Sequence, residues 1–340
     1  MTEPTRQGPR WGYATNQWKA GFTGFARMEQ QERAMKVTAA CGFDTIELSA
    51  GTGRWDPMGR PENIVQNFGS IEHFRLRLRD WGIRRVASLF FDPLQMSFEE
   101  LHHGMDPSDR SQHALLLQQA GVFARFLADI GGEVLVVRAL PPFGRHGGLD
   151  AERQAAAADC WNAVGAMTAA LGVKTALHLD AVAPLRGMDE LAGWLAQLNP
   201  AAVGLAMDTA ELAIAGHDVT AWYRRFHARV WHVHLKDALA VDTLDEYRQP
   251  NAERALLQAG GQRGIERWFG ELGSGLIDWP ALMGALREAG YAGWLIVESD
   301  KGPAPAAASV MQNAWTVRHV LQPLLVRRPN PKKTLKERAP

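Results

Sequence analysis

Eight short runs of β-forming residues alternate along this chain with longer segments of helical periodicity, and this alternation restricts the fold more than any other feature. The β-type runs lie at residues 11–16, 43–49, 84–91, 133–139, 174–180, 202–208, 229–237 and 293–299. Strands that alternate with helices form βαβ units, in which the strands run parallel. The pattern therefore predicts an α/β protein with a single (β/α)8 TIM barrel over residues 11–325.

The segments between the strands support this prediction. Two of them carry apolar residues at positions i, i+4, i+7 and i+11, namely Leu116, Ala120, Phe123 and Leu127, and then Cys160, Val164, Met167 and Leu171. Connections 92–110 and 238–277 are longer than the others, so we expect elongated strand–helix loops on the active face. An open doubly wound sheet is the alternative, but it requires a Gly-rich phosphate turn that does not follow "WGYATN".

Composition and charge exclude several classes of protein. The net charge is zero, whereas nucleic-acid binding normally requires a basic domain, so we expect no nucleic-acid partner. No apolar run of about 18 residues is present, and the N-terminus lacks a signal pattern, so we expect no membrane contact and a cytoplasmic location. Cys41 and Cys160 lie in apolar helical patterns and are predicted to pack in the core of a protein in a reducing compartment. Residues 326–340 carry six Lys or Arg against one Glu, which predicts a flexible basic tail.

Polar residues end nearly every predicted strand. They are Asn16, Glu47, Arg138, His178, Asp180, Asp208, His234, Lys236 and Glu298. A lone strand-end Asp often caps the next helix, but the carboxyl ends of barrel strands converge on one rim. Asp208, His234 and Glu298 would then require a counter-charge, which a divalent metal supplies. Mn²⁺, Co²⁺, Mg²⁺, Zn²⁺ and Fe²⁺ all suit carboxylate and imidazole ligands, and Mn²⁺ is favoured.

The segment "WHVHLKD" (231–237) places three polar residues on one face of a strand, because side chains alternate with a period of two. His234, nearer the strand end, is the better candidate for a ligand, and His232 is expected in the packed layer below. Lys236 continues this face to the rim. There its ammonium could polarise a substrate oxygen.

Four segments resemble the xylose isomerase-like sugar phosphate isomerase/epimerase superfamily, and within it the inosose dehydratases and related keto-sugar enzymes. They are "AACGFDTIELS" (39–49), "AMDTAELAIAGHD" (206–218), "WHVHLKDA" (231–238) and "LGSGLIDWPALMGALREAGYAGWLIVESD" (272–300). The resemblance covers about residues 11–300 and implies one barrel that holds one divalent cation. The implied ligands are Asp208, His234 and Glu298, with a fifth-strand group that is Asp180 or His178.

The sequence departs from the family pattern at three positions. The family usually has a Glu on strand five as ligand and base, where this chain reads "LHLD". Glu211 replaces a common His three residues after the strand-six Asp, and Ser274 replaces a Glu in the turn before the last helix. The first departure argues against epimerisation by two opposed bases. The second is expected to alter the contacts with substrate, and the third concerns only the turn.

The resemblance implies proton removal next to a carbonyl and a metal-stabilised enediolate. We expect a lyase that acts on a keto-sugar or keto-polyol, as inosose dehydratases do, or that eliminates the β-substituent of a 3-oxo-glycoside. The expected catalytic residues are His178, Glu298 and Lys236. The expected substrate contacts are Glu47, Arg138, Glu211 and Lys236, and the expected metal ligands are Asp180, Asp208, His234 and Glu298.

Three alternatives remain open at this point. The same intermediate serves a sugar isomerase or epimerase. Abasic-site endonucleases share the superfamily, but they require a multinuclear zinc cluster and a basic surface that this balanced chain does not clearly offer. The third alternative is a non-catalytic subunit, in which the barrel serves only as a scaffold. The predicted partners are a small-molecule keto-sugar or keto-polyol and either further copies of the chain or a small partner subunit.

Overall fold

The computed structural model describes residues 8–18, 27–50, 58–94, 104–250, 252, 267–300 and 304–326. Within these residues, eight parallel strands close a barrel in which β1 pairs with β2 and with β10. The barrel strands are β1 (Arg10–Ala14), β2 (Thr45–Ser49), β3 (Arg85–Phe91), β4 (Val134–Arg138), β5 (Lys174–His178), β6 (Val203–Asp208), β7 (Val230–Leu235) and β10 (Trp294–Val297). The predicted TIM barrel is therefore confirmed, strand by strand.

Helices surround this barrel. They are α1 (Met28–Ala40), α2 (Pro61–Phe68), α3 (Ile71–Asp80), α4 (His113–Ile130), α5 (Phe143–His146), α6 (Ala151–Ala170), α7 (Met188–Leu195), α8 (Thr209–Ile214), α9 (Val219–Phe226), α10 (Trp279–Ala289), α11 (Ala306–Thr316) and α12 (Gln322–Leu325). A π-helical turn, Val317–Leu321, joins the last two. The predicted stripe of α4 is buried at all four positions.

Helix α10 shows how local sequence sets an element. The Asp278 side chain accepts a hydrogen bond from the Ala281 N–H at 3.0 Å, which satisfies one of the free donors at the start of the helix. Pro280 stands in the first turn, where its missing N–H costs nothing. Gly290 ends the helix with φ +67°, a conformation that favours glycine.

Strand residues alternate between two apolar layers. Leu135 and Val137 of β4 belong to the layer between the strands and the helices, whereas Val134 and Val136 belong to a separate cluster inside the barrel. The inner cluster consists largely of small or branched residues, namely Ala14, Ala87, Val134, Val136, Ala176, Ala206 and Ile296, together with Trp294. The same alternation directs polar residues of several strands towards the barrel axis.

The amino ends of the strands are joined by an ion-pair cluster. Arg10 Nη1 and Nη2 donate to the two oxygens of the Glu133 carboxylate, at 2.5 and 2.6 Å. Arg85 lies 3.3 Å from the same carboxylate, and the Arg10 guanidinium stacks 4.1 Å from the centre of the Trp294 ring. Residues at the starts of β1, β3, β4 and β10 thus contact one another at the end of the barrel opposite the polar strand ends.

A two-stranded antiparallel sheet that the sequence did not reveal lies beyond β7. β8 (Asp237–Ala238) pairs antiparallel with β9 (Phe269–Gly270). The buried Asp237 carboxylate accepts hydrogen bonds from four groups, the N–H groups of Ala238, Gly273 and Ile277 and the indole of Trp279. This carboxylate fixes the two-stranded sheet against the loop that follows β9. Parts of the predicted long connections, 95–103 and 253–266, lie outside the described residues.

Other sequence-based expectations have mixed outcomes. Cys160 is buried as predicted, and Cys41 is partly buried against the core. Among the described residues, no helix is long and apolar enough to span a bilayer. Only Val326 of the predicted basic tail is described, and residues 327–340 lie outside the described residues, so the tail stays a prediction.

Candidate metal centre and active site

Four strands bring the main candidate groups to one rim. His178 ends β5, Asp208 ends β6, His234 lies near the end of β7, and Glu298 follows β10. His178 Nε2 lies 3.4 Å from Asp208 Oδ2, and His234 Nδ1 lies 3.9 Å from the same oxygen and 2.9 Å from Glu298 Oε2. Potential ligand atoms of His178, Asp208 and His234 lie within 4.8 Å of one another.

A second polar layer lies immediately below His234. Glu47 Oε2 accepts hydrogen bonds from Ser88 Oγ at 2.7 Å and from His232 Nε2 at 2.9 Å, and Glu47 Oε1 lies 2.8 Å from His234 Nε2. Glu47 and His232 are buried, which confirms the expectation that His232 occupies the packed layer. Glu47 therefore orients both imidazoles from below rather than facing the open rim.

Lys236 is buried among four carboxylates. Its Nζ atom lies 2.6 Å from Asp300 Oδ2, 3.3 Å from Glu211 Oε1, 3.4 Å from Asp208 Oδ2 and 3.5 Å from Glu298 Oε1. Its backbone N–H donates to Thr209 Oγ1 at 2.9 Å, and that hydroxyl donates to the Lys236 carbonyl. This backbone clamp, which joins β6 to β7, fixes the position from which the ammonium extends.

The two oxygens of Asp208 have separate tasks. Oδ1 accepts the backbone N–H groups of Ala210 and Glu211 at 2.9 and 3.0 Å and caps α8. Oδ2 points towards His178, His234 and Lys236. The capping role and the rim role that the sequence left as alternatives are thus both present, one on each oxygen.

Electrostatics at the rim reflect an excess of acid. Burial opposes ionisation of Asp208, but Lys236 and His178 hold the pKa of its carboxyl well below the ordinary value. Burial raises the pKa of Glu211 to about 7, and Lys236 offsets only part of that effect. Burial disfavours the charged form of His234, yet Glu47 and Glu298 raise the pKa of its imidazole well above the usual range. The rim therefore holds more carboxylates than its own cations neutralise.

Arg138 and Asp180 form a neighbouring buried pair. Arg138 Nε lies 2.6 Å from Asp180 Oδ2, and Arg138 Nη1 donates to Asp92 Oδ2 at 3.3 Å. Of the two fifth-strand candidates for a metal ligand, His178 is the one that lies beside Asp208 and His234, whereas Asp180 faces an arginine. Asp180 is not a member of the ligand groups found among the described residues.

The donor set fits a divalent cation. Among the described residues, buried His178 Nδ1, His234 Nδ1 and Glu298 Oε2 have no hydrogen bond of normal geometry. Imidazole and carboxylate donors suit Zn²⁺, Mn²⁺, Co²⁺ or Fe²⁺. Glu47, His232 and His234 form a second group of possible ligands, but they lie in the packed layer, with Ser88 bonded to the carboxylate. The group of His178, Asp208 and His234, which lies at the rim, therefore suits a catalytic site better.

Two carboxylates at the site, Asp300 and Asp92, escaped the sequence-based prediction, whereas Asn16 was among the predicted strand-end residues. Of the described carboxylates, Asp300 lies nearest Lys236, and Asn16 Nδ2 donates to Glu298 Oε1 at 2.8 Å and to Asp300 Oδ1 at 3.0 Å. Asp92 faces Arg138. Asp300 follows Glu298 by two positions, and Asp92 follows β3 directly, so strand-end position was the available signal. Ser274 donates to the Glu271 carbonyl within the turn, in agreement with the local role expected of it.

The fold and the rim define a class: a TIM-barrel protein with imidazoles and carboxylates gathered at the carboxyl end of the barrel. The chain belongs to the xylose isomerase-like TIM barrel family, whose model matches residues 35–315.

Curated relatives are similar to part of the chain. An inosose dehydratase of Lacticaseibacillus casei is 28% identical over 136 residues, which is 40% of this chain and 43% of that protein. An inosose dehydratase of Geobacillus thermodenitrificans is 28% identical over 191 residues, 53% of this chain and 62% of that protein. The chain thus spans about half the length of the curated relatives that it matches.

Solved structures match nearly the whole chain. An L-ribulose 3-epimerase has a TM-score of 0.67 at 18% identity, covering 97% of this chain and 98% of that one. The IolI protein with a bound zinc atom has a TM-score of 0.67 at 14% identity, covering 94% and 100%. At these identities the likeness concerns the fold.

Proposed function

We propose that this chain is a divalent-metal-dependent lyase that acts on a keto-sugar or keto-polyol. The observation that carries the proposal is the convergence of His178, Asp208 and His234, within 4.8 Å of one another, beside Glu298. The similarity to inosose dehydratases supports the substrate class. These four residues would hold the cation, with His178 in place of Asp180, and Mn²⁺ remains the predicted metal. When bound, the cation would act as a Lewis acid towards the substrate's oxygens.

Glu298 is the proposed base. Its Oε1 accepts a hydrogen bond from Asn16 and faces Lys236, while Oε2 has no hydrogen bond of normal geometry from any residue that the structure describes. In the first step this carboxylate takes the proton from the carbon next to the ketone, and the C–H electron pair moves towards the carbonyl oxygen. The Lys236 ammonium supplies positive charge where negative charge develops on the substrate.

The second step is the loss of the β-substituent. The electron pair returns from oxygen, a carbon–carbon double bond forms, and the C–O bond to the leaving group breaks. Glu298 can pass its proton to the departing oxygen, so a single carboxylate completes the elimination. Epimerisation instead requires a proton from the opposite face, where this chain has His178 and Asp180 rather than the family's usual Glu. Elimination is therefore favoured.

Substrate hydroxyls are proposed to contact Arg138, Glu211, Asp180 and Lys236. Arg138 and Asp180 form one rigid pair, and Glu211 accepts the Ala181 N–H at 2.8 Å, so these groups lie together at the ends of β4, β5 and β6. Glu47, expected as a substrate contact, is proposed instead to orient His234, because it is buried and its Oε1 lies 2.8 Å from His234 Nε2. Fixed polar groups of this kind suit a polyhydroxylated ring.

The test uses metal-loaded protein in D₂O with a keto-inositol and with a 3-oxo-glucoside. The reaction is followed by nuclear magnetic resonance. The proposal predicts an unsaturated product or a released aglycone, and no accumulation of an epimer. Glu298→Gln should abolish the reaction. An epimer that carries solvent deuterium, formed without loss of the β-substituent, would replace the lyase by an epimerase. No turnover of either type, by protein shown to hold metal, would contradict both.

A further inference from the structure

Lys236 shares its carboxylate partners with the proposed metal site. Of its four partners, Asp208 and Glu298 belong to the proposed ligand set, at 3.4 and 3.5 Å from Nζ. Asp300 and Glu211, at 2.6 and 3.3 Å, do not. One ammonium thus contacts two groups inside the ligand set and two groups outside it.

The ammonium cannot readily leave this position for solvent. The Lys236 side chain is 3% exposed, and the facing Asp208 side chain is fully buried. The Phe269 ring lies 4.3 Å from Nζ, and Thr209 clamps the Lys236 backbone. A buried cation that is held within reach of the ligand carboxylates interacts with them strongly, because little water screens the charges.

We propose that Lys236 is a resident counter-ion of the ligand carboxylates, which competes with the divalent cation for Asp208 and Glu298. When the cation binds, the ammonium is held by Asp300 and Glu211 instead. This inference rests on the proposed metal site and adds a role for Lys236 that precedes any contact with substrate. Two consequences follow: the lysine weakens metal binding, and it keeps the acidic rim folded when no metal is bound.

The first test measures metal affinity. Metal-free wild type, Lys236→Met and Lys236→Arg are titrated with Mn²⁺ and with Zn²⁺ against a metal-binding indicator at constant pH. Lys236→Met should bind at least about tenfold more tightly, because a competing charge is gone. Lys236→Arg, which keeps the charge, should bind no more tightly than wild type. Lys174→Met removes a lysine at the amino end of β5 and serves as the matched control, with unchanged affinity.

The second test measures thermal unfolding of the same proteins. Metal-free Lys236→Met should melt below metal-free wild type, since its buried carboxylates have lost their cation, and saturating metal should raise its Tm by more than it raises the wild-type Tm. Lys236→Met that binds metal as weakly as wild type, or more weakly, while its metal-loaded form melts normally, would overturn the inference.

A variant that retains the lysine keeps the test independent of the folding of Lys236→Met. Asp300→Asn removes the closest partner outside the ligand set, so the ammonium should bind the ligand carboxylates more firmly and metal affinity should fall by about tenfold. Asp44→Asn, at the amino end of β2, is the control for loss of one negative charge. Equal affinity in Asp300→Asn and Asp44→Asn would contradict the role. Wild-type protein that binds no divalent cation would overturn the metal site itself.

Discussion

Glu47 holds two imidazoles with one carboxylate. Its oxygens lie 2.9 Å from His232 Nε2 and 2.8 Å from His234 Nε2, and Ser88 donates to it as well. A carboxylate behind a metal-binding imidazole fixes the ring orientation and raises its basicity. In this protein the arrangement would leave His234 Nδ1 directed at Asp208 and Glu298.

The first prediction at the residue scale concerns this carboxylate. Glu47→Gln should weaken divalent-metal binding by about 10- to 100-fold, because His234 loses the charge that orients its ring. The measurement is competitive metal titration of the purified variant. Glu133→Gln makes the same chemical change at the other end of the barrel and should leave the affinity unchanged. Wild-type affinity in Glu47→Gln would show that Glu47 only fills the packed layer.

At the scale of elements, Glu133 links neighbouring strands at the amino end of the barrel. This residue precedes β4, and its carboxylate binds Arg10 of β1 and Arg85 of β3. Partial burial opposes its ionisation, but the hydrogen bonds and the charge of Arg10 hold the pKa of Glu133 below its ordinary value. The side chains are 35–50% exposed, so water screens much of the attraction.

Glu133→Gln should therefore lower the free energy of unfolding by only about 0.5–1 kcal/mol at neutral pH. A lowered folded-state pKa means that the charge stabilises the fold above the unfolded pKa of about 4.3 and ceases to do so as the pH falls through the folded value. Urea unfolding of wild type and variant should give a constant difference from pH 8 to about pH 6. The two should converge on acidification. A difference that grows in acid would contradict this assignment.

At the scale of the whole molecule, opposite charges are unevenly distributed. The chain is neutral overall, yet Glu47, Asp208, Glu211, Glu298 and Asp300 surround Lys236 and His234 at one end of the barrel. Such a concentration of buried acid costs stability unless a cation is bound. Metal binding and folding are therefore expected to be coupled.

Chelator-treated protein should melt below metal-loaded protein. Metal at 100 times its dissociation constant adds about 2.7 kcal/mol to the free energy of unfolding, which calorimetry would record as a rise in Tm. In His234→Ala the metal-dependent rise should be lost or greatly reduced. The amino-end variant Glu133→Gln should retain the full rise. A His234→Ala protein with the wild-type rise would place the cation elsewhere.

The sequence by itself determined the barrel. Strands with a period of two, helices with a period of 3.6 and the caps of α10 are local signals, and eight successive strand–helix units have one compact closed arrangement. Strand-end position also identified most of the rim, including His178, Asp208, His234, Lys236 and Glu298. The small sheet of 237–238 and 269–270 was missed because two-residue strands carry no periodicity.

Only the tertiary structure decided which of these groups meet. Strand-end position does not show that Glu47 lies below His234, that Asp180 pairs with Arg138, or that His178 lies beside Asp208. These pairings depend on stagger between strands, including register shifts between Ile46 and Glu47 and between Leu205 and Ala206. A strand's own sequence determines which face of the sheet a side chain occupies. The height of that side chain along the barrel axis depends on the stagger of all the barrel strands together.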